Sequence, residues 1–214
     1  MKQKQETQEY WDNYYKDATI GGVPSQFATF ILNEFRDRDR FVDIGCGNGR
    51  DSFFMATHGK TVLAADGSQQ AVTSCQDKAD ATGLSNIRFE QIDFASDESC
   101  AAFLKRNAAD WTGSIVYARF FVHAIDEDEE RRFLQLSKAL VANGGLLCLE
   151  FRTDRDELQR KVTATHYRRF VSPVSFIAAL HEHDLKVDYF CEGFGMAKYR
   201  DDDAHVARFV VSGS

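Results

Sequence analysis

Long apolar runs are missing from this sequence. The longest, Cys100 to Leu104 and Phe176 to Leu180, have five residues each, where a bilayer requires about 20, so no membrane partner is expected. Proline is scarce, two in 214 residues, and with 43% hydrophobic and 28% charged residues the composition is neither disordered nor collagen-like. Paired cysteines are lacking too. Cys46, Cys75, Cys100, Cys148 and Cys191 are odd in number, widely spaced and without any CxxC, which reads as free buried thiols in a reducing compartment. There is no basic excess: 26 Lys and Arg against 33 Asp and Glu leave −7, and such a chain repels phosphate backbones. Nucleic acid is therefore not the expected partner, and a small-molecule substrate is. The opening Met-Lys-Gln-Lys-Gln-Glu is polar, with no apolar stretch behind it. That is no secretory leader, and the expected location is cytoplasmic. Six scattered histidines, of which His181 and His183 stand closest, suggest no metal site.

What is present is an alternation of strand-like and helix-like segments over a length suited to one domain. Phe27, Phe30, Ile31 and Phe35 have helical spacing, and Phe41 to Ile44 reads as a buried strand ending in glycines. Further strands are predicted at Thr61 to Ala65, Asn86 to Ile92, Ser114 to Ala118 and Leu146 to Phe151. Between them lie a helix carrying Ala71, Val72, Cys75 and Ala79, and one burying Cys100, Ala101, Phe103 and Leu104. A third helix, after the fourth strand, opens with Asp126 and Glu129 at capping-box spacing and buries Phe133, Leu136 and Leu140. Ser172-Pro173 starts another helix, leading through Val174, Ile177, Ala178 and His181 to strands at Leu185 to Cys191 and Val206 to Val211. The short charged connection from Arg200 to His205 lets these two strands pair antiparallel. Residues 1–35 are read as an N-terminal lid or cap, and residues 40–214 as a sheet core with an active-site insert at 152–170.

The chemistry begins at Val42-Asp43-Ile44-Gly45-Cys46-Gly47-Asn48-Gly49-Arg50, where a buried strand enters a glycine loop and then a helix. Such a loop lets a ligand approach the backbone, and the helix offers free N–H groups. The spacing is GxGxG, because Arg50 stands where a pyrophosphate-binding GxGxxG requires its third glycine. Asp66, 21 residues beyond Gly45 and followed by Gly67, ends the second strand, where an acid can accept ribose hydroxyls. Asp93 and Phe94 end the third, a carboxylate for an exocyclic amine beside a ring for a purine.

These motifs resemble those of the class I S-adenosylmethionine-dependent methyltransferases, across nearly the whole chain. The resemblance implies a Rossmann-like α/β sheet of seven strands in the order 3-2-1-4-5-7-6, the last antiparallel, with helices on both faces. It also implies S-adenosyl-L-methionine as cofactor. Gly45, Cys46, Gly47 and Gly49 would lie along its methionine part and ribose, Asp43 would help hold the amino group through its surroundings, Asp66 with Gly67 would take the ribose, and Asp93 with Phe94 the adenine.

Beyond strand four comes Tyr117-Ala118-Arg119-Phe120-Phe121-Val122-His123, without the Asn-Pro-Pro-Tyr pattern of enzymes that methylate planar amines. If helical, Arg119 and His123 share a face and offer a cation and a base. The stretch 152–169 has six basic residues against three acidic ones, a positive island that suits an anionic acceptor. Its candidates for substrate contact are Arg152, His166, Tyr167, Arg168 and Arg169, joined by Tyr15 from the aromatic cluster Tyr10 to Tyr15. The expected reaction is methylation of oxygen, nitrogen or sulfur on a small anionic acceptor. Two rival readings stay open: a nicotinamide-dependent oxidoreductase, which Arg50 opposes, and a non-catalytic S-adenosylmethionine-binding regulatory module.

Overall fold

The computed structural model describes residues 22–157, 167–199 and 201–213. Strands β1 (Arg40–Ile44), β2 (Thr61–Asp66), β3 (Ile87–Gln91), β4 (Ile115–Arg119), β5 (Leu146–Arg152) and β6 (Leu185–Gly193) are preceded in turn by helices α1 (Gln26–Glu34), α2 (Arg50–Thr57), α3 (Gln69–Thr82), α4 (Asp97–Trp111), α5 (Glu127–Val141) and α6 (Pro173–Glu182). Two short strands, β7 (Lys198–Tyr199) and β8 (Asp202–Asp203), come before β9 (Val206–Gly213). The main sheet has seven strands in the order β3-β2-β1-β4-β5-β9-β6. Its pairs are parallel except the two made by β9, which are antiparallel. The sheet order read from the sequence is thus borne out, with β9 as its seventh strand. The charged connection before β9 is more structured than expected, since β7 and β8 pair within it.

Side chains alternate across each strand, so the sheet has two apolar faces. On one, Val42, Leu63, Val116 and Leu149 pack with Phe103 of α4, Phe133 of α5 and Phe176 of α6. On the other, Phe41, Val62, Ile115 and Cys148 pack with Phe27 of α1, Met55 of α2 and Cys75 of α3. Helix ends follow local chemistry. Ser25 caps α1 through its Oγ, and Asp126 and Glu129 form the expected capping box on α5.

Two helix faces differ from the sequence reading. Ala101 is exposed, and α4 buries Cys100, Phe103, Asn107 and Trp111 instead. In α6 the inward residues are Pro173, Phe176 and Leu180, while Val174 is 76% exposed. Apolar residues occur all round this helix, so spacing alone left its phase undetermined. Among the described residues no helix is long and apolar enough to cross a membrane.

The parallel strands β1 to β5 all end at one edge of the sheet, and antiparallel β9 starts there. Open α/β sheets bind ligands at this edge, beside the point where strand order reverses. Here that point lies between β1 and β4.

Candidate active site

β1 passes directly into the glycine loop, which is fastened to β2. The N–H groups of Gly45 and Cys46 donate to the Ala65 carbonyl at 2.8 and 3.1 Å. Gly47 N–H donates to Oδ2 of Asp66 at 2.8 Å, and Ser68 N–H to its Oδ1 at 2.9 Å. These bonds fix the plane of the half-buried Asp66 carboxylate at the strand end. Gly45 has φ +73°, and a Cβ on it would stand 2.6 Å from Cδ2 of Phe121. Only glycine lets the loop after β4 close this tightly on the loop after β1. Gly49, at φ +69°, is the N-cap of α2, and the first N–H groups of that helix leave the loop carrying the positive end of its dipole.

Asp43 is buried under this loop and accepts from Ser52 Oγ. Burial pushes its carboxyl up to about 7, against the lowering effect of the Ser52 hydrogen bond and with help from Asp51 and Asp66. Burial likewise drives the Cys46 thiol well above its ordinary value, so Cys46 lines the loop without being a nucleophile. Gly67 follows Asp66 and receives Gln91 Nε2 on its carbonyl at 3.0 Å. Asp93 is exposed beyond β3, with Ala95 N–H on its Oδ1 at 2.8 Å. Phe94 requires a correction. Its ring is 5% exposed and packed against Phe121 and Phe133, at centroid distances of 5.3 and 5.9 Å, so it forms floor beneath the site and is not an open platform for a purine.

On the α1–α2 face of the sheet, three charged residues stand opposite one another on adjacent strands: Arg119 on β4, Glu150 on β5 and Arg208 on β9. The Nε atoms of Arg119 and Arg208 donate to separate oxygens of Glu150, both at 2.7 Å. Beside this row is a polar knot that ties α1 to α2. Asp51 accepts from Ser25 N–H at 2.9 Å, Ser25 Oγ at 2.7 Å, Tyr117 OH at 2.8 Å and Arg50 Nε at 3.0 Å. Burial would raise the Asp51 carboxyl, but Arg50, Arg119 and these hydrogen bonds outweigh it and hold it below its ordinary value. The Tyr117 hydroxyl is driven well up by burial and by Asp51.

The three glycines in left-handed backbone and the fixed Asp66 carboxylate at the next strand end suit a nucleoside with an amino-acid tail. Residues 41–145 match the family model described as a methyltransferase domain. The chain therefore carries a methyltransferase domain. An S-adenosylmethionine-dependent methyltransferase from Anabaena variabilis ATCC 29413 is 18% identical, with a TM-score of 0.71 over 97% of this chain and 93% of that one. A TehB-like methyltransferase from Corynebacterium glutamicum ATCC 13032 is 14% identical, with a TM-score of 0.67 over 98% and 99%. At these identities the likeness is one of fold. The 23S rRNA (uracil(1939)-C(5))-methyltransferase RlmD of Shewanella sp. (strain ANA-3) is 33% identical over 66 residues. That match covers 31% of this chain and only 15% of the relative.

For this methyltransferase, the acceptor side differs from the sequence reading at several residues. Arg119 and His123 do not share a helix face: Phe120 turns the chain at φ +58°, and Val122–Ala124 is a single 3-10 turn. His123 is 5% exposed, and its Nδ1 accepts the Arg152 N–H at 3.2 Å. The proton of its neutral ring is therefore on Nε2, which corrects the expected base to a donor. Arg152 is no substrate contact, because its guanidinium is buried between Asp156, at 2.7 Å, and Asp202. Arg169 reaches the β4 loop through its N–H on the His123 carbonyl at 2.8 Å, but its guanidinium is bound to Glu130. Tyr167 and Arg168 are half-buried beside it, and burial raises the Tyr167 hydroxyl. Tyr15, with the whole cluster Tyr10 to Tyr15, and His166 lie outside the described residues. No group of acidic, histidine or cysteine side chains among the described residues is placed to hold a metal ion.

Sequence reasoning missed Asp51, Glu150 and Arg208. The signal for the last two was there: each is a charge interrupting a run of strand residues that otherwise read as apolar.

Proposed function

We propose that this enzyme methylates a small, anionic acceptor held over the ends of β4 and β5. The observation that supports the reading is that two different polar groupings share one sheet edge. The glycine loop and Asp66 stand over β1 and β2, and the Arg119–Glu150–Arg208 row stands over β4, β5 and β9. When bound, S-adenosylmethionine supplies an electrophilic methyl carbon and leaves as S-adenosylhomocysteine.

The chain's own work is alignment, exclusion of water and charge compensation. Gly45, Gly47 and Gly49 would lie along the methionine part and ribose, Asp66 would take the ribose hydroxyls, and Asp93 the adenine amine. Asp43 acts beneath the loop, its partial negative charge near neutrality favouring an amino group above it. His123 supports a donor at Nε2. Arg152 and Arg169, paired within the protein, position the segments around the pocket and do not touch the acceptor. The low net basicity of the chain and this internal pairing favour a compact acceptor over a polyanion.

The experiment is incubation of the protein with methyl-labelled cofactor and the small-molecule fraction of a cell extract, followed by mass spectrometry. A labelled small product is expected. Label appearing only in added RNA or protein would overturn the reading.

A further inference from the structure

The charged row has unused donors. Arg119 spends Nε on Glu150 and lays its guanidinium over the Phe120 ring at 4.0 Å. Its two terminal nitrogens have no hydrogen-bond partner among the described residues, although the side chain is only 15% exposed. Arg208 is similar: Nε goes to Glu150, Nη2 to the Met196 carbonyl at 2.7 Å, and Nη1 has no partner among the described residues. A guanidinium edge with both terminal nitrogens open matches a carboxylate in shape.

Open donors, not net charge, ask for an anion. Arg50, Arg119 and Arg208 carry three positive charges against two on Asp51 and Glu150, but Arg152, which faces the same Phe120 ring as Arg119, sums to −1 with Asp156 and Asp202. The side chain of Arg119 is only 15% exposed, and enclosed guanidinium donors without an acceptor are costly. A singly charged carboxylate satisfies them with less added negative charge than a doubly charged phosphate.

Placement decides which carboxylate. Asp43 on β1 is level with Tyr117 on β4, so Arg119, two residues on, is level with Gly45. From there the row runs over β5 and β9, away from the β1–β2–β3 side that carries the cofactor residues. An anion on this row therefore belongs to a second molecule, lying beyond the methyl end of the cofactor.

Resting on the methyltransferase reading above, we infer that the acceptor is a small monocarboxylic acid, its carboxylate held by the open edge of Arg119 with Arg208 behind, and that a different atom of it is methylated. The acceptor's hydroxyl, amine or thiol gives the electron pair that forms the new bond to the methyl carbon. The carbon–sulfur pair leaves with S-adenosylhomocysteine, and the acceptor's proton passes to solvent. The carboxylate is an anchor and stays free in the product.

The test uses the full chain with methyl-labelled S-adenosylmethionine and three versions of one small-molecule extract: untreated, amidated at its carboxyls with a carbodiimide and excess methylamine, and phosphatase-treated. The labelled product is expected from the untreated and phosphatase-treated extracts, to be lost on amidation, and to retain a free carboxyl. With that product's precursor as substrate, Arg119→Gln should raise KM at least tenfold while S-adenosylhomocysteine affinity changes less than twofold. Arg119→Lys, which keeps the charge but not the fork, should fall between. A product that survives amidation, one lost to phosphatase, or a methyl ester would overturn the inference. So would Arg119→Gln weakening S-adenosylhomocysteine tenfold, since that assigns the edge to the cofactor's own carboxylate. Wild-type protein that binds no S-adenosylhomocysteine would instead remove the reading on which the inference rests.

Discussion

Glu150 of β5 and Arg119 of β4 face each other across a parallel strand pair, with Oε1 and Nε 2.7 Å apart and the Glu150 side chain wholly buried. Arg208 occupies the other carboxylate oxygen, so removing Glu150 leaves two enclosed guanidinium groups without their counter-ion. Glu150→Gln should therefore lower unfolding free energy by about 3–5 kcal/mol, read by urea denaturation. A loss below 1 kcal/mol would show that the row is solvated and weakly coupled.

Arg152 should behave as a structural residue and not as a substrate contact. It joins the end of β5 to Asp156 and, through Asp202, to β8. Arg152→Ala should cost stability on the same scale, about 3–5 kcal/mol, because two buried carboxylates lose their partner. In thermal melts the variant should unfold many degrees earlier. A variant of native stability with only a raised KM for the acceptor would restore Arg152 to the pocket.

Much of the fold could be read directly because hydrophobic patterning is strong where strands are buried on both faces. The glycine loop, β1 to β5 and the antiparallel β9 all follow from it. The phase of α6 did not, because Val174, Phe176, Ile177 and Leu180 offer more than one apolar stripe. The candidate cofactor residues could be picked out because they lie at strand ends next to glycines. The acceptor side was misread for a physical reason: a cluster of basic residues looks like an anion site until their acids are located. Asp156, Asp202 and Glu130 sit elsewhere in the chain or were counted only as net charge, yet they occupy Arg152 and Arg169. Among the described residues the open guanidinium edge is on Arg119 instead.

Asp43 should make stability and cofactor binding depend on pH. Its carboxyl is about 7 in the folded chain against an ordinary value of 3.8, chiefly through burial. The native state then holds this proton more tightly than the unfolded state does, so the stabilisation is full below about pH 4 and is lost as pH rises through 7. Asp43→Asn should flatten that part of the stability curve between pH 5 and 8. Cofactor affinity should move the opposite way, rising through pH 7 as Asp43 ionises near the amino group. Parallel curves for wild type and variant would exclude both effects.

Gly45→Ala puts a Cβ 2.6 Å from the Phe121 ring at a backbone φ of +73°. Clash and strain together should destabilise the loop and weaken S-adenosylhomocysteine at least tenfold. Pairing it with Phe121→Ala relieves the clash but not the backbone strain, so calorimetry should show partial recovery. Full cofactor affinity in Gly45→Ala would mean that the loop can move without consequence.

The most direct measurement is calorimetric titration of S-adenosylhomocysteine into wild-type protein and into Asp66→Ala. The Asp66 carboxylate is fixed at the end of β2 by Gly47 and Ser68. We expect one site per chain in the wild type, weakened by about 1–3 kcal/mol in the variant, the scale of a lost charged hydrogen bond. Equal affinity in a folded Asp66→Ala variant, or wild-type protein that binds NAD and not S-adenosylhomocysteine, would contradict the account.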